Sequence, residues 1–224
     1  MTPATVLAEA PGLLAVDKPA GVPVIPGRTA EGPVPLQQQL ERALGRKLWV
    51  VHRLDRDTSG VLLFATSAAA HRVLSMAFEA GRIRKRYLAL VEGTVAAPLD
   101  LDAALVPARR SRMRVARAGE EGKSARTLVR PVQPLLGTTL VEAEPLTGRT
   151  HQIRVHLLSA GHPLLVDHQY GNAGPVTLPG GGSLGRTPLH AATLEVPALE
   201  GIPAQVINAP LPADMAAAVA ALTP

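Results

Sequence analysis

Nine consecutive residues, 52–60, combine two acids, two arginines and a histidine between two apolar segments. Polar side chains between buried strands cost free energy unless each has a partner or a task. Residues 57–60 are explained by a turn, because Asp, Thr and Ser side chains bond to nearby backbone and a glycine closes the turn. Arg53 and Asp55 come before that turn and lie two residues apart. In an extended segment they project to one side, so the sequence predicts that both face a common cleft.

Residues 147–156 form a second polar segment, in which a turn leads into a predicted helix. Thr150 is the predicted N-cap, and Ile153 is predicted to face the core through its spacing with later apolar residues. Arg149 lies just outside the helix. Because unpaired N–H groups at a helix start attract anions, Arg149 and this terminus together predict an anion site. Arg154, in contrast, is interpreted as a structural surface residue.

Two further segments are strongly basic. Residues 82–87 end in Tyr87, one of only two tyrosines, and continue into an apolar strand. The strand should hold Tyr87 rigidly, which suits stacking on a planar ligand. Residues 109–117 contain five arginines and are predicted to form an exposed ribbon. Phosphate contact and a plain solvated hairpin explain this ribbon equally well.

The remaining pattern predicts an α+β fold with more strand than helix, in a single domain over residues 1–224. Helices are expected over 34–44 and from an N-cap at Ser67 to residue 80. Residues 105–141 have a strand-like pattern interrupted by glycine and proline. Residues 174–185 contain five glycines and two prolines and are expected to form a mobile loop.

Composition excludes several classes of protein. The 224 residues include no cysteine, which rules out disulfides, thiolate metal sites and thiol catalysis. The net charge is +5 and 19 of the 23 basic residues are arginine, which suits a polyanionic partner, although a coding bias explains it as well. Five aromatic residues spread along the chain argue against an RNA-binding module that stacks several bases on a sheet. With neither a long apolar run nor a signal peptide, we expect a cytoplasmic protein that does not bind membranes.

Taken together, these segments resemble the RluA-type family of pseudouridine synthases. The sequence His-Arg-Leu-Asp-Arg-Asp-Thr-Ser-Gly at 52–60 is similar to the catalytic motif of that family, and its first residue, His52, favours this branch over the RsuA-type branch. The other similar blocks follow in family order at residues 16–21, 85–93, 147–156 and 189–191. Many relatives carry an N-terminal S4 RNA-binding domain. We expect none here, since too few residues precede the first block, so the catalytic domain would hold the RNA alone.

The resemblance implies a mixed, mainly antiparallel sheet with flanking helices and a central active-site cleft. It implies isomerisation of a flipped-out uridine in a stem-loop of ribosomal or transfer RNA, by a monomer without cofactor, metal or protein partner. By similarity, Asp55 is the catalytic carboxylate, which acts at the ribose, and Arg53 fills the place of the flipped base. Tyr87 would stack on the uracil, Arg149 would pair with Asp55, and Ile153 would belong to the substrate-binding residues.

Three other functions are compatible with parts of the sequence. A metal-dependent hydrolase could use a cluster of five potential metal ligands within residues 151–168. Two of them, His151 and His156, are five apart on a predicted helix and therefore do not share one face. A glycoside hydrolase would need Asp55 and Asp57 as its two carboxylates. A non-catalytic RNA-binding module would have no use for Asp55, whose charge repels phosphate. The five potential metal ligands of the hydrolase hypothesis are His151, His156, His162, Asp167 and His168.

Overall fold

The computed structural model describes residues 4–26 and 32–224. The chain divides into two compact units. Unit 1 contains the described part of residues 1–85 together with Ala191–Pro210, and unit 2 contains Arg86–His190 and Leu211–Pro224. The elements in chain order are β1 (Thr5–Ala10), β2 (Leu13–Lys18), α1 (Leu36–Leu44), β3 (Trp49–Val50), β4 (Ser59–Ala65), α2 (Ala68–Glu79), β5 (Arg84–Glu92), β6 (Leu99–Asp102), β7 (Leu105–Pro107), β8 (Met113–Val115), β9 (Arg126–Leu135), β10 (Thr138–Pro145), α3 (Gln152–Ser159), β11 (Val176–Thr177), β12 (Ser183–Leu184), β13 (Leu189–Val196), β14 (Gln205–Asn208) and α4 (Ala213–Leu222).

Unit 1 is built around β4, in which all seven residues are buried. Strand β2 pairs with β1 on one side and with β4 on the other, both antiparallel, and β3 pairs antiparallel with the C-terminal end of β4. Strand β13 follows β4 in the strand order and pairs with β14. A strand buried on both faces reads as a continuous apolar run, which is why this part of the sequence was recognisable as core.

Helices α1 and α2 of unit 1 begin and end close to the predicted positions. In α2 the Ser67 side chain accepts a hydrogen bond from the Ala70 amide (3.1 Å), which confirms the predicted N-cap. Leu74 on the same helix is completely buried in the unit 1 core. Helix α1 begins at Leu36, two residues later than predicted. It ends, as predicted, at Gly45 in the left-handed conformation (φ 64°).

Unit 2 contains the antiparallel strand order β5-β10-β9-β6 and two short hairpins, β7–β8 and β11–β12. The strand-like pattern predicted for 105–141 is therefore correct. The segment 174–185, predicted as a loop, contains the hairpin β11–β12. Leu178 and Leu184 from this segment are buried in a cluster with Met215 of α4. Its predicted mobility stays a prediction.

The prediction of an α+β fold with a mainly antiparallel sheet is confirmed, whereas the single domain over 1–224 stays a prediction. Among residues 4–26 and 32–224, no helix is long and apolar enough to cross a membrane.

Gly60 is needed for a close approach between strands and not, as the sequence suggested, to close a turn. The turn ends earlier, because the Thr58 amide donates to the Asp55 carbonyl (3.2 Å) and β4 already begins at Ser59. Gly60 has a φ of +108°, and a Cβ atom there would lie 2.7 Å from the backbone nitrogen of Ala191. Backbone atoms cannot give way as a flexible side chain does, so only glycine fits this position.

We predict that Gly60→Ala lowers the free energy of unfolding by about 2–5 kcal/mol, as the sum of a strained φ and an overpacked contact. Gly45→Ala is the matched control. Gly45 also has a positive φ (+64°), but no atom lies within 4 Å of its added Cβ. Only the strain of about 1–2 kcal/mol is then expected. Urea unfolding of both variants measures the difference, and equal losses would contradict the close approach.

Candidate active site

The segment that carries Arg53 and Asp55 leaves the sheet of unit 1 after β3. Leu54 is buried (6% exposed), whereas Arg53 is exposed and Asp55 is half-buried. This alternation agrees with the extended segment expected from the sequence, with the two charged side chains flanking a residue that packs inward. Asp55 is also the first residue of the turn that precedes β4.

Lys18 holds the C-terminal end of this segment, at Arg56, against the core. The residue is completely buried at the end of β2, and its Nζ donates hydrogen bonds to the carbonyls of Pro19, Val22 and Arg56, each 2.8 Å long. The Arg56 carbonyl also accepts from the Gly21 amide (2.9 Å). The carbonyl that follows Asp55 by one residue is thus held by two donors. Sequence reasoning missed this role, although a lysine that ends an apolar strand just before a proline was a signal for it.

His52 holds the N-terminal end of the same segment in place. Its Nε2 accepts a hydrogen bond from the Leu63 amide (2.9 Å), and its ring stacks on Phe78 with 4.5 Å between centroids and 22° between planes. Although the residue as a whole is only half-buried, desolvation of the ring lowers the pKa of His52 to about 3, with a further contribution from the positive charge of Lys85. The imidazole is therefore neutral at physiological pH, as an acceptor must be.

The second carboxylate of the segment, Asp57, is bound to its neighbour. Arg56 donates from Nε and Nη2 to the Asp57 carboxylate at 3.1 and 3.2 Å, and the Arg56 side chain is 64% exposed. An exposed pair of adjacent residues contributes little stability. It does explain Asp57 locally, which leaves the glycoside hydrolase hypothesis without its second carboxylate.

In unit 2, Tyr87 lies on β5, opposite Ala143 of β10 in an antiparallel register. The residue is only 9% exposed. Neighbouring pairs along β5 and β10 continue this register without interruption. The backbone at Tyr87 is therefore held by strand pairing, as predicted from the apolar strand that follows the basic run.

The turn that carries Arg149 is organised by Gln152. The Gln152 Oε1 accepts from the Thr147 hydroxyl (2.7 Å) and from the Arg149 amide (3.0 Å), while its Nε2 donates to the Arg126 carbonyl (3.0 Å). Arg149 is exposed, and its Nε donates to the Ser124 carbonyl (3.0 Å). Sequence reasoning missed Gln152, and the only signal was an amide side chain next to the predicted helix start.

The helix itself begins later than predicted. Thr150 is not the N-cap, because α3 starts at Gln152 with His151 as its N-cap in the left-handed conformation (φ 56°). A non-glycine residue with this φ is uncommon and costs free energy. The prediction is wrong because the residues before Gln152 belong to the turn, in which the Gln152 side chain accepts from the Arg149 amide. Ile153 lies in the first turn of α3 and is buried, as expected from its spacing.

Arg154 is a buried residue and not the surface residue that the sequence suggested. Its Nε and Nη2 donate to the Asp167 carboxylate at 2.8 and 2.7 Å, and its guanidinium lies 4.9 Å from the ring centroid of Tyr170. Desolvation alone would raise the pKa of Asp167, but Arg154 and the amides of Gln169 and Tyr170 bring it below its ordinary value. Helix periodicity could not reveal Arg154, because its partner comes from a loop thirteen residues away.

The histidines proposed for a metal site serve separate hydrogen bonds. His151 Nδ1 contacts the Tyr170 hydroxyl (2.7 Å), and both ring nitrogens of His156 are bonded, to the Thr127 hydroxyl and to the Ala103 carbonyl. Within residues 4–26 and 32–224, no three His, Cys, Asp or Glu side chains are grouped closely enough to hold a metal ion. The metal hydrolase hypothesis thus has no ligand set in the described part of the chain.

The basic ribbon is the hairpin β7–β8 with its flanking residues. Three arginines at its tip are exposed, namely Arg109, Arg110 and Arg112. Arg114 has a different role, because it forms two 2.6 Å hydrogen bonds with the Glu120 carboxylate. The Met113 amide donates to the Tyr170 hydroxyl (2.7 Å), which anchors the hairpin within unit 2. The predicted exposure is confirmed for the tip, and phosphate contact stays a prediction.

Comparisons with known proteins point in one direction. Residues 12–159 match the family model described as RNA pseudouridylate synthase. The chain is 37% identical over 237 residues to ribosomal large subunit pseudouridine synthase D of Nitrosomonas europaea, with 98% of this chain and 65% of that protein covered. It is 39% identical over 204 residues to an uncharacterized RNA pseudouridine synthase of Zymomonas mobilis, with 88% and 89% covered.

Solved structures agree with these relatives. The fold matches human RNA pseudouridylate synthase domain containing 1 with a TM-score of 0.77 and 26% identity, over 92% of this chain and 83% of that one. It matches human RNA pseudouridylate synthase domain containing 4 with a TM-score of 0.75 and 25% identity, over 97% and 92%. The chain spans only 65% of the Nitrosomonas protein and 60% of ribosomal large subunit pseudouridine synthase C of Yersinia pestis.

We predict that Asp167→Asn lowers the free energy of unfolding by about 3–5 kcal/mol, because it leaves the guanidinium of Arg154 buried without an opposite charge. The control is Asp214→Asn, which breaks the pair with Arg186. The Asp214 side chain is 42% exposed and that of Asp167 is 1% exposed, so the control should lose about 0–1 kcal/mol.

The difference in unfolding free energy between wild type and Asp167→Asn depends on pH. The contribution of Asp167 is complete above its ordinary pKa of 3.8 and disappears as the pH falls through its lower folded-state pKa. The difference between wild type and Asp167→Asn should therefore shrink on acidification. Denaturant unfolding between pH 7 and pH 3 measures it, and a constant difference would contradict an ionised Asp167.

Proposed function

The chain belongs to the RNA pseudouridylate synthase family, and we propose that it isomerises specific uridines to pseudouridine in structured RNA. The observation that carries the proposal is the family match over residues 12–159, which includes the segment with Arg53 and Asp55. The anchoring of that segment by Lys18 and His52 supports it, since a catalytic carboxylate must be held in position.

The reaction is a redox-neutral rearrangement. The bond between N1 and C1′ breaks, the uracil rotates, C5 bonds to C1′, and the C5 proton is lost while N1 gains one. In our proposal the Asp55 carboxylate acts at the ribose, either by attack on C1′ or by removal of the C2′ proton. The proposed enzyme works as a cytoplasmic monomer and uses neither a cofactor nor a metal ion.

Four other residues receive roles from the family resemblance. A uridine in folded RNA must first be flipped out of its stack, at a cost of a few kcal/mol. Arg53 would fill the vacated place, and its exposure suits contact with RNA. Tyr87 would stack on the uracil, Ile153 would contact the substrate, and the pairing of Arg149 with Asp55 stays a prediction.

The exposed tip of the β7–β8 hairpin is the proposed grip on the RNA backbone. Arg109, Arg110 and Arg112 are all exposed there, whereas Arg114 is already paired with Glu120. Arginines that neutralise phosphates release counterions and raise affinity without sequence preference. As substrate we propose large-subunit ribosomal RNA over transfer RNA, because the names of two relatives refer to the large ribosomal subunit.

We predict that Asp55→Asn folds normally, binds RNA and loses at least about 100-fold in turnover, as expected for the removal of an acid–base or nucleophilic group. Release of tritium from RNA that contains [5-³H]uridine measures the reaction directly, because the C5 proton is lost. Asp57→Asn is the matched control and should stay within about threefold of wild type, since Asp57 serves the local pair with Arg56.

Retention of a tenth of wild-type turnover by Asp55→Asn would remove Asp55 from the proposed role. The substrate is identified by mapping pseudouridines in total RNA from cells with and without the gene. Binding of RNA without tritium release from any uridine would instead indicate a non-catalytic RNA-binding protein.

A second prediction concerns base flipping by Arg53. Arg53→Ala should slow the single-turnover rate on a structured RNA and have a smaller effect on an unstructured version of the same target, where unstacking costs least. Arg56→Ala is the control, because Arg56 is an equally charged neighbour bonded to Asp57. Wild type must modify both RNAs for the comparison, and equal defects of Arg53→Ala on both would contradict the flipping role.

A further inference from the structure

We propose that His52 is a positioning residue, whose imidazole extends the pairing of β3 with β4 and thereby directs the chain toward Asp55. The inference rests on the proposed function, because it assigns His52 a part in the same reaction. The family resemblance of the sequence distinguishes His52 only as the first residue of a motif. Its contacts in unit 1 give it a physical task.

The task begins where β3 ends. The last residue of β3, Val50, pairs with Phe64 of β4. The amide of the adjacent residue on β4, Leu63, donates to His52 Nε2 (2.9 Å). A side-chain nitrogen thus takes the place of the backbone carbonyl that a longer β3 would have supplied. The chain can leave the sheet at this point without an unsatisfied amide inside the unit.

The orientation of the ring is set by a second element. The His52 ring stacks on Phe78 of α2, and this helix packs in the unit 1 core through Leu74. The imidazole is therefore held by β4 through a hydrogen bond and by α2 through ring contact. Two contacts in different directions leave the ring little freedom to rotate.

Only two residues separate His52 from Asp55. The next fixed point is the Arg56 carbonyl, which Lys18 holds (2.8 Å). A rotation of the backbone at His52 would therefore be taken up between the two anchors, where Arg53 and Asp55 lie. Displacement of a reacting group by about 1 Å can lower a rate by about 100-fold.

The hydrogen bond also requires one protonation state. Acceptance at Nε2 places the proton of the neutral imidazole on Nδ1. Desolvation, and then the charge of Lys85, lowers the pKa of His52 to about 3. The acceptor therefore persists over the whole pH range in which an RNA-modifying enzyme is assayed. The same shift argues against a role for His52 in proton transfer near neutral pH.

Two variants, His52→Gln and His52→Leu, test the hydrogen-bond acceptor separately from the packing of the ring. The Oε1 atom of glutamine can reach the place of Nε2 and accept from the Leu63 amide, whereas leucine keeps apolar bulk against Phe78 and accepts nothing. The stability control is Ile207→Ala. Ile207 is a buried residue of β14 in the unit 1 core, and it lies neither in the segment 52–60 nor on the helix that contacts the His52 ring. All three variants are made in the full chain. Single-turnover rate at saturating RNA, RNA affinity, urea unfolding and hydrogen exchange of the Leu63 amide are measured.

We expect His52→Leu to lower the rate about tenfold or more, with RNA affinity within about twofold, because the carboxylate is displaced and the RNA contacts remain. His52→Gln should restore the rate to within about threefold of wild type, since it restores the acceptor. The Leu63 amide should exchange faster in His52→Leu and stay protected in His52→Gln. Ile207→Ala should keep the wild-type rate despite its loss of stability.

Three results would overturn the proposal: a wild-type rate in His52→Leu, equal losses of rate in both His52 variants, or a rate that simply follows unfolding stability and falls in Ile207→Ala. If His52→Leu does not fold, a normal rate in His52→Gln with an unprotected Leu63 amide would overturn it too. The proposed function fails separately, when wild type forms no pseudouridine on any RNA. Hydrogen exchange at Leu63 then still tests the acceptor.

Discussion

The candidate site of unit 1 depends on the hydrogen bonds that the Lys18 ammonium group donates to the backbone. Removing a charge from water costs several kcal/mol unless its hydrogen-bonding capacity is satisfied. An ammonium group has three donors, and Lys18 directs them at three backbone carbonyls, each 2.8 Å away. One of these carbonyls belongs to Arg56, in the turn that contains Asp55. The position of the turn is therefore tied to the end of a core strand, and a polar segment between buried strands becomes compatible with a rigid core.

Unit 2 uses polar networks for the same purpose. The amide of Gln152 bonds to four groups of the turn and of the neighbouring strand, while Arg154 is enclosed by Asp167 and Tyr170. Satisfied networks of this kind rigidify a structure, because each lost partner would leave a buried polar group unpaired. Hydrogen bonds thus hold the turn that carries Arg149, in a chain that has few aromatic side chains.

The many arginines of this chain have distinct tasks, so net charge alone is a poor guide to its surface. Arg154 is buried, and several others are bound to carboxylates of the same chain, as in the pairs of Arg114 with Glu120, Arg126 with Asp100 and Arg186 with Asp214. Arg109, Arg110 and Arg112 at the β7–β8 tip are exposed. The net charge of +5 therefore does not show where the arginines without a carboxylate partner lie on the surface.

The fold class, the family, the capped helix α2 and the buried strand β4 could be predicted from the sequence, because apolar periodicity, capping residues and ordered motifs are local patterns. The sequence also singled out Arg53, Asp55, Tyr87, Arg149 and Ile153 as candidate site residues. Only the tertiary structure revealed the tasks of Lys18, His52, Gln152 and Arg154, since each has a partner that is distant in the chain or an acceptor that no pattern marks. Gly60 shows the same limit. Its type suggested a turn, yet a close approach to the backbone of Ala191, 131 residues later, is what excludes a side chain there.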